Sequence, residues 1–303
     1  MPAIITDRFR IHNSEQFQEA FSETSGNTMY LGIGRPQAFA TSTRADGRTN
    51  NEGSDTAPVT PADNLNAQHF PYDDMLAAKK IASSDVTFAI PRRNWTTGTT
   101  YDIYRHDYGE RITGTTTAQT SNSGVSTLFD ANFYVLTTAR NVYKVLDNNG
   151  NSASTVEPTG TATTVLTTGD GYKWKYMYTL SASQQANFLS TDFMAVATDS
   201  TVSSAAVDGA IDIVKIKTPG SGGADGTHTG IAIRGDGSNG QVSVTVTGGV
   251  VTAVTVTNAG TGYTFGTISN AQIVAAGATS LTGAELDVII PPQGGHGKNA
   301  IEE

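Results

Sequence analysis

The chain has no cysteine and relatively little charge. Asp, Glu, Lys and Arg together make up 16% of its 303 residues. Without cysteine there can be no disulfide, thiolate zinc site or cysteine nucleophile. The low charge also argues against charge-driven disorder, because such chains combine low hydrophobicity with high net charge. The sequence therefore belongs to a folded protein that uses no thiol chemistry.

Basic excess and long apolar runs are also lacking. The net charge is −9, and the densest basic spots are the short pairs Lys79-Lys80, Arg92-Arg93 and Lys173/Lys175. A chain of this sign repels phosphates, so no nucleic-acid partner is predicted. No stretch reaches the roughly 18–20 apolar residues of a membrane span. The N-terminus lacks the basic-then-apolar order of a signal peptide, so neither a membrane partner nor secretion is expected.

What is present favours β-structure. Hydrophobic residues make up only 37% of the chain, and 32 residues are glycine. Thr and Ser suit exposed strand faces, and Gly and Asn suit turns. The composition predicts a mainly β protein with a minor α component. A chain of this length has room for two or three domains.

The first predicted domain covers residues 1–92 and mixes helix with strand. A helix is predicted over 13–25, a buried strand over 29–36, and a long surface loop over 40–64. A second helix is predicted over 72–82, because acidic residues occupy its first turn and lysines its last. A strand then spans 85–90. We expect residues 283–303 to complete this domain.

The remaining sequence predicts two further β domains. Residues 93–200 carry short aromatic strands, indicating a β-sandwich or barrel-like domain with a small helix over 181–189. In the run 172–178, aromatic residues alternate with lysine and methionine, which predicts one aromatic face. Residues 205–282 are rich in Gly and Thr and predict an all-β inserted module. Its clearest element is a hairpin over 241–256, with Gly248-Gly249 at the turn. A C-terminal strand and tail follow over 283–303.

No pattern of catalytic or ligand-binding residues stands out. The five histidines are scattered and none has metal-site spacing. Asp73-Asp74 fits a helix N-terminus better than an acid pair. The run that starts at Asp147 fits a hairpin turn better than a calcium loop, because Gly150 comes too early. Arg234-Gly235-Asp236 is expected by chance. We therefore predict no catalytic, metal or cofactor-binding residues, no cofactor and no enzymatic activity.

Aromatic and arginine side chains give the one candidate surface. Core packing is the default interpretation for most aromatics of the middle domain. However, arginine together with aromatics that carry a polar group is enriched where proteins bind one another. The candidate protein-interface residues are Arg92, Arg93, Trp95, Tyr101 and Tyr104.

Several collinear segments resemble one known family. The similarity runs through 30–36, 72–75, 84–102, 133–137, 141–150, 156–160 and 170–178, and resumes at 290–297 with Ile-Pro-Pro-Gln-Gly-Gly-His-Gly. These segments resemble the T-even-type myophage baseplate wedge protein of the gene product eight family. The resemblance implies a structural subunit of a contractile tail, located in the virion and assembled in the host cytoplasm. It also implies a homodimer that binds other baseplate wedge subunits without catalysis or cofactor.

The Gly-rich module departs from that family's pattern. Residues 205–282 look like the β-bead insertions of cyanophage and marine myophage relatives, so their role stays open. One alternative is a receptor- or glycan-binding tail protein in which this module is the lectin-like head. Another is a polysaccharide-degrading tail enzyme, which would need two convergent carboxylates. The abrupt end of the sequence suggests that a longer protein is represented in part.

Overall fold

A computed structural model describes residues 6–23, 28–34, 42–43, 49–50, 75–110, 112 and 116–303. The chain divides into two compact units, residues 1–87 and 88–303. Both are built from small sheets with a few short helices, so the predicted mainly β class with minor α is confirmed. The described strands form open sheets of two to four strands and close no barrel. The predicted loop over 40–64 lies largely outside the described residues.

The described residues of the first unit form one long helix and two small sheets. Helix α1 (Asp7–Glu19) begins after Thr6, whose side chain accepts a hydrogen bond from the Phe9 N–H. The predicted helix over 13–25 is therefore wrong in its bounds, because Thr6 caps it earlier than Asn13 would. In the two described sheets of the first unit, β1 pairs with β4 and β2 pairs with β3, both antiparallel. These strands are β1 (Tyr30–Gly34), β2 (Ser42–Thr43), β3 (Thr49–Asn50) and β4 (Met75–Lys80).

Strand β4 overturns the helix predicted over 72–82. The segment is extended and pairs residue by residue with β1, from Tyr30 opposite Lys80 to Gly34 opposite Met75. Strand pairing satisfies its backbone hydrogen bonds, and such tertiary context outweighs weak local helix preference. The lysines that indicated a helix C-terminus lie at the end of the strand instead. Lys79 forms an ion pair of 2.5 Å with Asp85 in the following 3₁₀ turn (Ser83–Asp85).

The first half of the second unit is the predicted aromatic-rich region. Strands β6, β7, β9 and β8 form a four-stranded antiparallel sheet in that order, and β5 pairs with β10. A parallel bridge from Asn94 to Leu136 links β5 to this sheet. The elements are β5 (Ala89–Pro91), β6 (Tyr134–Leu136), β7 (Asn141–Asp147), β8 (Leu166–Thr167), β9 (Lys173–Thr179), α2 (Ala182–Phe188), β10 (Phe193–Ala195) and α3 (Ser200–Ala205).

Strand β9 carries the centre of the aromatic core. Trp174 is fully buried, and its ring stacks on that of Tyr172 with centroids 5.3 Å apart. The register with β7 shifts between Val142 and Tyr143. A bulge of this kind changes the side to which the following side chains point. Tyr178 consequently packs with Met177 in a neighbouring cluster, so the prediction of one continuous aromatic face is wrong at that residue.

The second half of the unit is a mainly β module with its own core, and it contains one short helix that the prediction of an all-β module did not include. Strands β12, β14 and β15 form one sheet, β11 pairs with β17, and β13 pairs with β16. The hairpin predicted at Gly248-Gly249 is confirmed, since these residues connect β14 to β15 with positive φ. The elements are β11 (Ile213–Ser221), β12 (Gly226–Ala232), β13 (Arg234–Gly235), β14 (Gln241–Thr247), β15 (Val250–Asn258), β16 (Gly266–Thr267), α4 (Asn270–Ala275) and β17 (Thr282–Ile289).

One buried aromatic explains part of the glycine content. The hydroxyl of Tyr263 donates to the Ile233 carbonyl at 3.1 Å and accepts from the Gly240 N–H at 3.0 Å. A Cβ at Gly237 would lie 2.4 Å from the ring, and one at Gly240 would lie 2.8 Å from the hydroxyl. Any side chain at these positions would displace the ring, so the glycines make room for the module's aromatic centre.

The predicted domain boundaries at 92/93, 200/205 and 282/283 stay predictions. Within the second unit, β17 is the antiparallel partner of β11, with Val288 opposite Val214. Beyond β17 the chain runs back to the aromatic sheet, where Lys144 forms an ion pair with Glu303. The described contacts of the C-terminal segment in this unit thus reach both the module and the aromatic sheet.

Candidate protein interface

The two candidate arginines follow strand β5, and both guanidinium groups bind within the second unit. Arg92 donates from Nε to Asn94 Oδ1 at 2.9 Å and from Nη1 to the Ser190 carbonyl at 2.8 Å. Arg93 donates to the carbonyls of Ala131 and Asp130, and its Cζ lies 4.8 Å from the centre of the Tyr134 ring. The side chains are half-buried, so each keeps part of its surface for a partner.

Trp95 is also half-buried. Its indole Nε1 donates to Ser154 Oγ at 3.1 Å, and the ring packs against the aromatic cluster. The backbone of this segment is fixed by β6, because Trp95 N–H donates to the Leu136 carbonyl and Leu136 N–H donates to the Arg93 carbonyl. The structure thus brings Arg92, Arg93 and Trp95 onto one rigid extended segment.

Tyr101 and Tyr104 are core residues. Their exposed fractions are 1% and 4%. The Tyr101 hydroxyl is held by the backbone of Thr96, from which it accepts an N–H at 2.6 Å. Burial raises the pKa of the Tyr104 phenol well above its ordinary value, and nearby carboxylates add to this effect. In this conformation neither ring can reach a partner protein. Both residues follow the default interpretation for the middle-domain aromatics, which is core packing.

Exposed apolar side chains lie elsewhere and were not among the candidates. In the first unit, Leu31 on β1 is 55% exposed and Leu76 on β4 is 64% exposed, and Tyr30 and Ile33 are also more than half exposed. All six residues of β4 are exposed. A two-stranded sheet alone is marginally stable in water. These side chains lie on both sides of the two-stranded sheet, because consecutive strand residues point to opposite sides. The prediction of β1 as a buried strand and of β4 as a helix did not reveal this exposed surface, which we call the β1–β4 face.

An exposed aromatic residue of the second unit, Phe193, lies beside Arg92. Phe193 on β10 is exposed and lies opposite Pro91 in the β5–β10 pair, next to Arg92 in sequence register. The Arg92 N–H donates to the Asp192 carbonyl at 2.7 Å, which fixes the two segments side by side. The local sequence pattern does not indicate Phe193 as an interface residue, because Phe193 and Arg92 are far apart in the sequence.

A polar cleft of about 480 Å³ lies in the second unit, between the loop that follows Ile103 and strand β11. Two of its basic side chains form ion pairs. Arg105 binds Asp107 at 2.7 Å and Asp287 at 2.6 Å, and Lys215 binds Asp147 at 2.6 Å. The pairs of Arg105 with Asp287 and of Lys215 with Asp147 link the module to the aromatic region.

The described residues hold no group of three or more side chains that could coordinate a metal ion. No described helix is long and apolar enough to cross a membrane.

The Arg-Gly-Asp triplet has a structural use, since Asp236 accepts hydrogen bonds from the Thr264 N–H at 2.9 Å and from the Thr264 hydroxyl. These hydrogen bonds lower the pKa of Asp236 to about 2.

A comparison with protein families adds the decisive observation. The family model described as "Phage-Gp8: Bacteriophage T4, Gp8" matches residues 3–139. Residues 3–139 are similar to the Phage-Gp8 family. The resemblance found in the sequence is thereby confirmed for this part of the chain, a little under half of it. The match includes the whole first unit beyond residue 2 and the segment with Arg92, Arg93 and Trp95.

The Phage-Gp8 match supports a structural protein of the phage baseplate, associated with other baseplate proteins and located in the virion tail. The Gly-rich module lies outside the matched residues. No curated protein matches the chain.

Proposed function

We propose that this chain is a structural wedge subunit of a contractile phage tail. In this proposal it forms a homodimer, binds neighbouring wedge proteins and works through protein–protein contacts without catalysis or cofactor. The subunit assembles in the host cytoplasm and becomes part of the tail baseplate of the virion. The observation that carries the proposal is the Phage-Gp8 match over residues 3–139.

The β1–β4 face supports the proposal that the chain forms a homodimer. An exposed two-stranded sheet with several large apolar side chains gains stability when a partner covers it. Exposed contiguous apolar surface is also the usual mark of a protein-binding site. Leu31 and Leu76 contribute one exposed leucine from each strand. We place the homodimer contact on this face.

The Leu31→Glu/Leu76→Glu variant is expected to weaken self-association about a hundredfold. Burying two half-exposed leucines contributes about 2–3 kcal/mol, and each 1.4 kcal/mol is tenfold in affinity. Sedimentation velocity over a dilution series measures the change. Thr255→Glu/Thr257→Glu is the matched control, since it adds the same charges at two positions of β15 that keep solvent contact. Equal association of both variants would remove the β1–β4 face from the proposal.

The segment with Arg92, Arg93 and Trp95 is the proposed contact with neighbouring wedge proteins. Arg92→Ala/Arg93→Ala should abolish co-purification with the other baseplate proteins of the virion. The loss of internal hydrogen bonds lowers the free energy of unfolding by about 1–2 kcal/mol, so stability is measured alongside. Arg234→Ala removes an exposed arginine of the module and serves as control. Normal co-purification of the double variant would contradict this assignment.

Cryo-electron microscopy of the purified tail tests the whole proposal. Paired copies of the chain within each baseplate wedge are the expected result. Density at the tip of a fibre would instead favour a receptor- or glycan-binding protein.

A further inference from the structure

The last residues of the second unit form a segment that no sheet holds. Residues 291–303, here called the C-terminal strap, leave β17 and run across α3 and the chain that follows it. Gly294 N–H donates to Asp208 Oδ1 at 2.6 Å, and the Ser203 hydroxyl donates to the Lys298 carbonyl at 2.8 Å. The described residues 291–303 take part in no strand.

Two glycines fix the path of the strap. Gly295 and Gly297 both have φ near +90°, a conformation that other residues avoid. A Cβ at Gly295 would lie 2.3 Å from the Val207 carbonyl oxygen, and one at Gly297 would lie 2.4 Å from Val202 Cγ1. The backbone of the strap is thus in direct contact with residues 202–207, the connection that leads into the module.

A buried ion pair holds the strap at Glu303. Lys144 on β7 donates from Nζ to Glu303 Oε2, and the two side chains are 1% and 3% exposed. The other carboxylate oxygen of Glu303 accepts the Gly297 N–H at 2.7 Å, so one side chain joins residue 303 to the middle of the strap. The Lys144 ammonium also lies 4.9 Å from the centre of the Tyr104 ring. We call the Lys144–Glu303 pair the clasp.

The closed strap carries several energetic costs. Two charges are desolvated in the clasp, so the intact pair adds little net stability, but removal of one partner would leave the other charge buried and destabilise the closed strap strongly. His296 is buried, and its Nδ1 has no hydrogen-bond partner among the described residues. Apolar burial is concentrated in the middle of the strap, where the His296 ring meets the Tyr104 ring edge-on at 4.9 Å, whereas Ala300 and Ile301 are only partly buried. Attachment of the strap beyond Gly297 therefore depends mainly on the clasp.

We propose that the C-terminal strap is a latch: it opens as a unit when the clasp is broken, while the aromatic sheet and the module stay folded. Opening uncovers residues 202–208 and frees the connection between α3 and β11. This device is independent of the assembly role proposed above. It gives the second unit a closed state and an open state.

Hydrogen exchange of the full chain, followed by mass spectrometry, tests the latch. Glu303→Gln keeps an acceptor for Gly297 but leaves the Lys144 charge buried without its counter-ion. Exchange in peptides covering 295–303 and 202–208 should rise at least tenfold, whereas peptides from β9 and β14 should be unchanged. Glu302→Gln changes the neighbouring exposed carboxylate and should have no effect. Lys144→Met/Glu303→Gln, which removes both charges, should restore slow exchange.

Two results would overturn the latch. Unchanged exchange in Glu303→Gln would show that the clasp does not hold the strap. A uniform rise that includes β9 and β14 would show that the strap opens only when the whole unit unfolds. If Glu303→Gln disturbs folding, the double variant still decides, because fast exchange confined to 295–303 in it would show that the remaining contacts do not hold the strap without the clasp.

Discussion

Replacing Trp174 by alanine is expected to lower the free energy of unfolding by about 3–5 kcal/mol, the range for removal of a large buried aromatic. Trp174 is 0% exposed and contacts two aromatic rings, stacking on Tyr172 and meeting Tyr101 edge-on at 6.1 Å. Its Nε1 donates to Thr168 Oγ1 at 3.0 Å. The substitution leaves a large cavity and removes the indole donor from the Thr168 hydroxyl, which still donates to Asp170. Since whole domains are stable by only about 5–15 kcal/mol, the variant should be close to unfolding at body temperature.

Urea denaturation followed by far-ultraviolet circular dichroism measures this loss without relying on the removed fluorophore. Trp95→Ala is the internal control, because Trp95 is only half-buried and makes one comparable hydrogen bond to Ser154. We expect it to cost about 1–2 kcal/mol less than the Trp174 change. If both substitutions cost the same, the packing of β9 at the centre of the aromatic core is not the main source of stability in this region.

The position of Trp174 in a buried strand could be predicted because the signal is local. Aromatic residues alternate with lysine and methionine along β9, and a period of two is the direct consequence of strand geometry. The hairpin at Gly248-Gly249 was predictable for the same reason, since the turn needs positive φ at both central residues. Such features depend on neighbours in the sequence and on little else.

Most of the incorrect predictions concern segments whose structure depends on residues that are distant in the sequence. Strand β4 is extended because β1 lies beside it, and no residue between 72 and 82 shows that pairing. The shift between Val142 and Tyr143 in the β7–β9 register moved Tyr178 to another cluster, although the sequence of β9 alternates regularly. The earlier start of α1 depends on Thr6, whose hydroxyl accepts the Phe9 N–H although threonine is by type a slightly weaker cap than Asn13.

The candidate interface was predicted only in part. Arg92, Arg93 and Trp95 lie together on one segment. Tyr101, however, is covered by the rings of Tyr172 and Trp174, and Tyr104 by those of Phe133 and His296, all of them distant in sequence. The β1–β4 face escaped notice because its leucines read as core residues, and exposure is a property of the folded chain. The family resemblance went further, because an ordered series of segments carries more information than any one motif.

Gly209→Ala should destabilise the second unit by about 2–5 kcal/mol, through two separate effects. Gly209 has φ of +64°, and a left-handed conformation costs other residues about 1–2 kcal/mol. A Cβ there would also lie 2.1 Å from the Tyr263 backbone nitrogen and 2.6 Å from the Gly262 carbonyl carbon. These are backbone atoms, held by a hydrogen bond of 2.8 Å from Gly262 N–H to the Asp208 carbonyl. Relief requires the two chain segments to separate, and such overpacking costs about 1–3 kcal/mol more.

Gly248→Ala separates the two effects, because the chain offers a glycine of the same conformation without the contact. Gly248 has φ of +63°, and a Cβ at this position would have no other atom within 4 Å. It should therefore lose only the conformational part, about 1–2 kcal/mol, in the same urea titration. The difference between the two variants measures the close crossing of residues 208–209 over 262–263, where the module joins the chain that enters it. Equal losses would mean that this crossing is loose in solution, and that the module is held mainly by the ion pairs of Arg105 and Lys215.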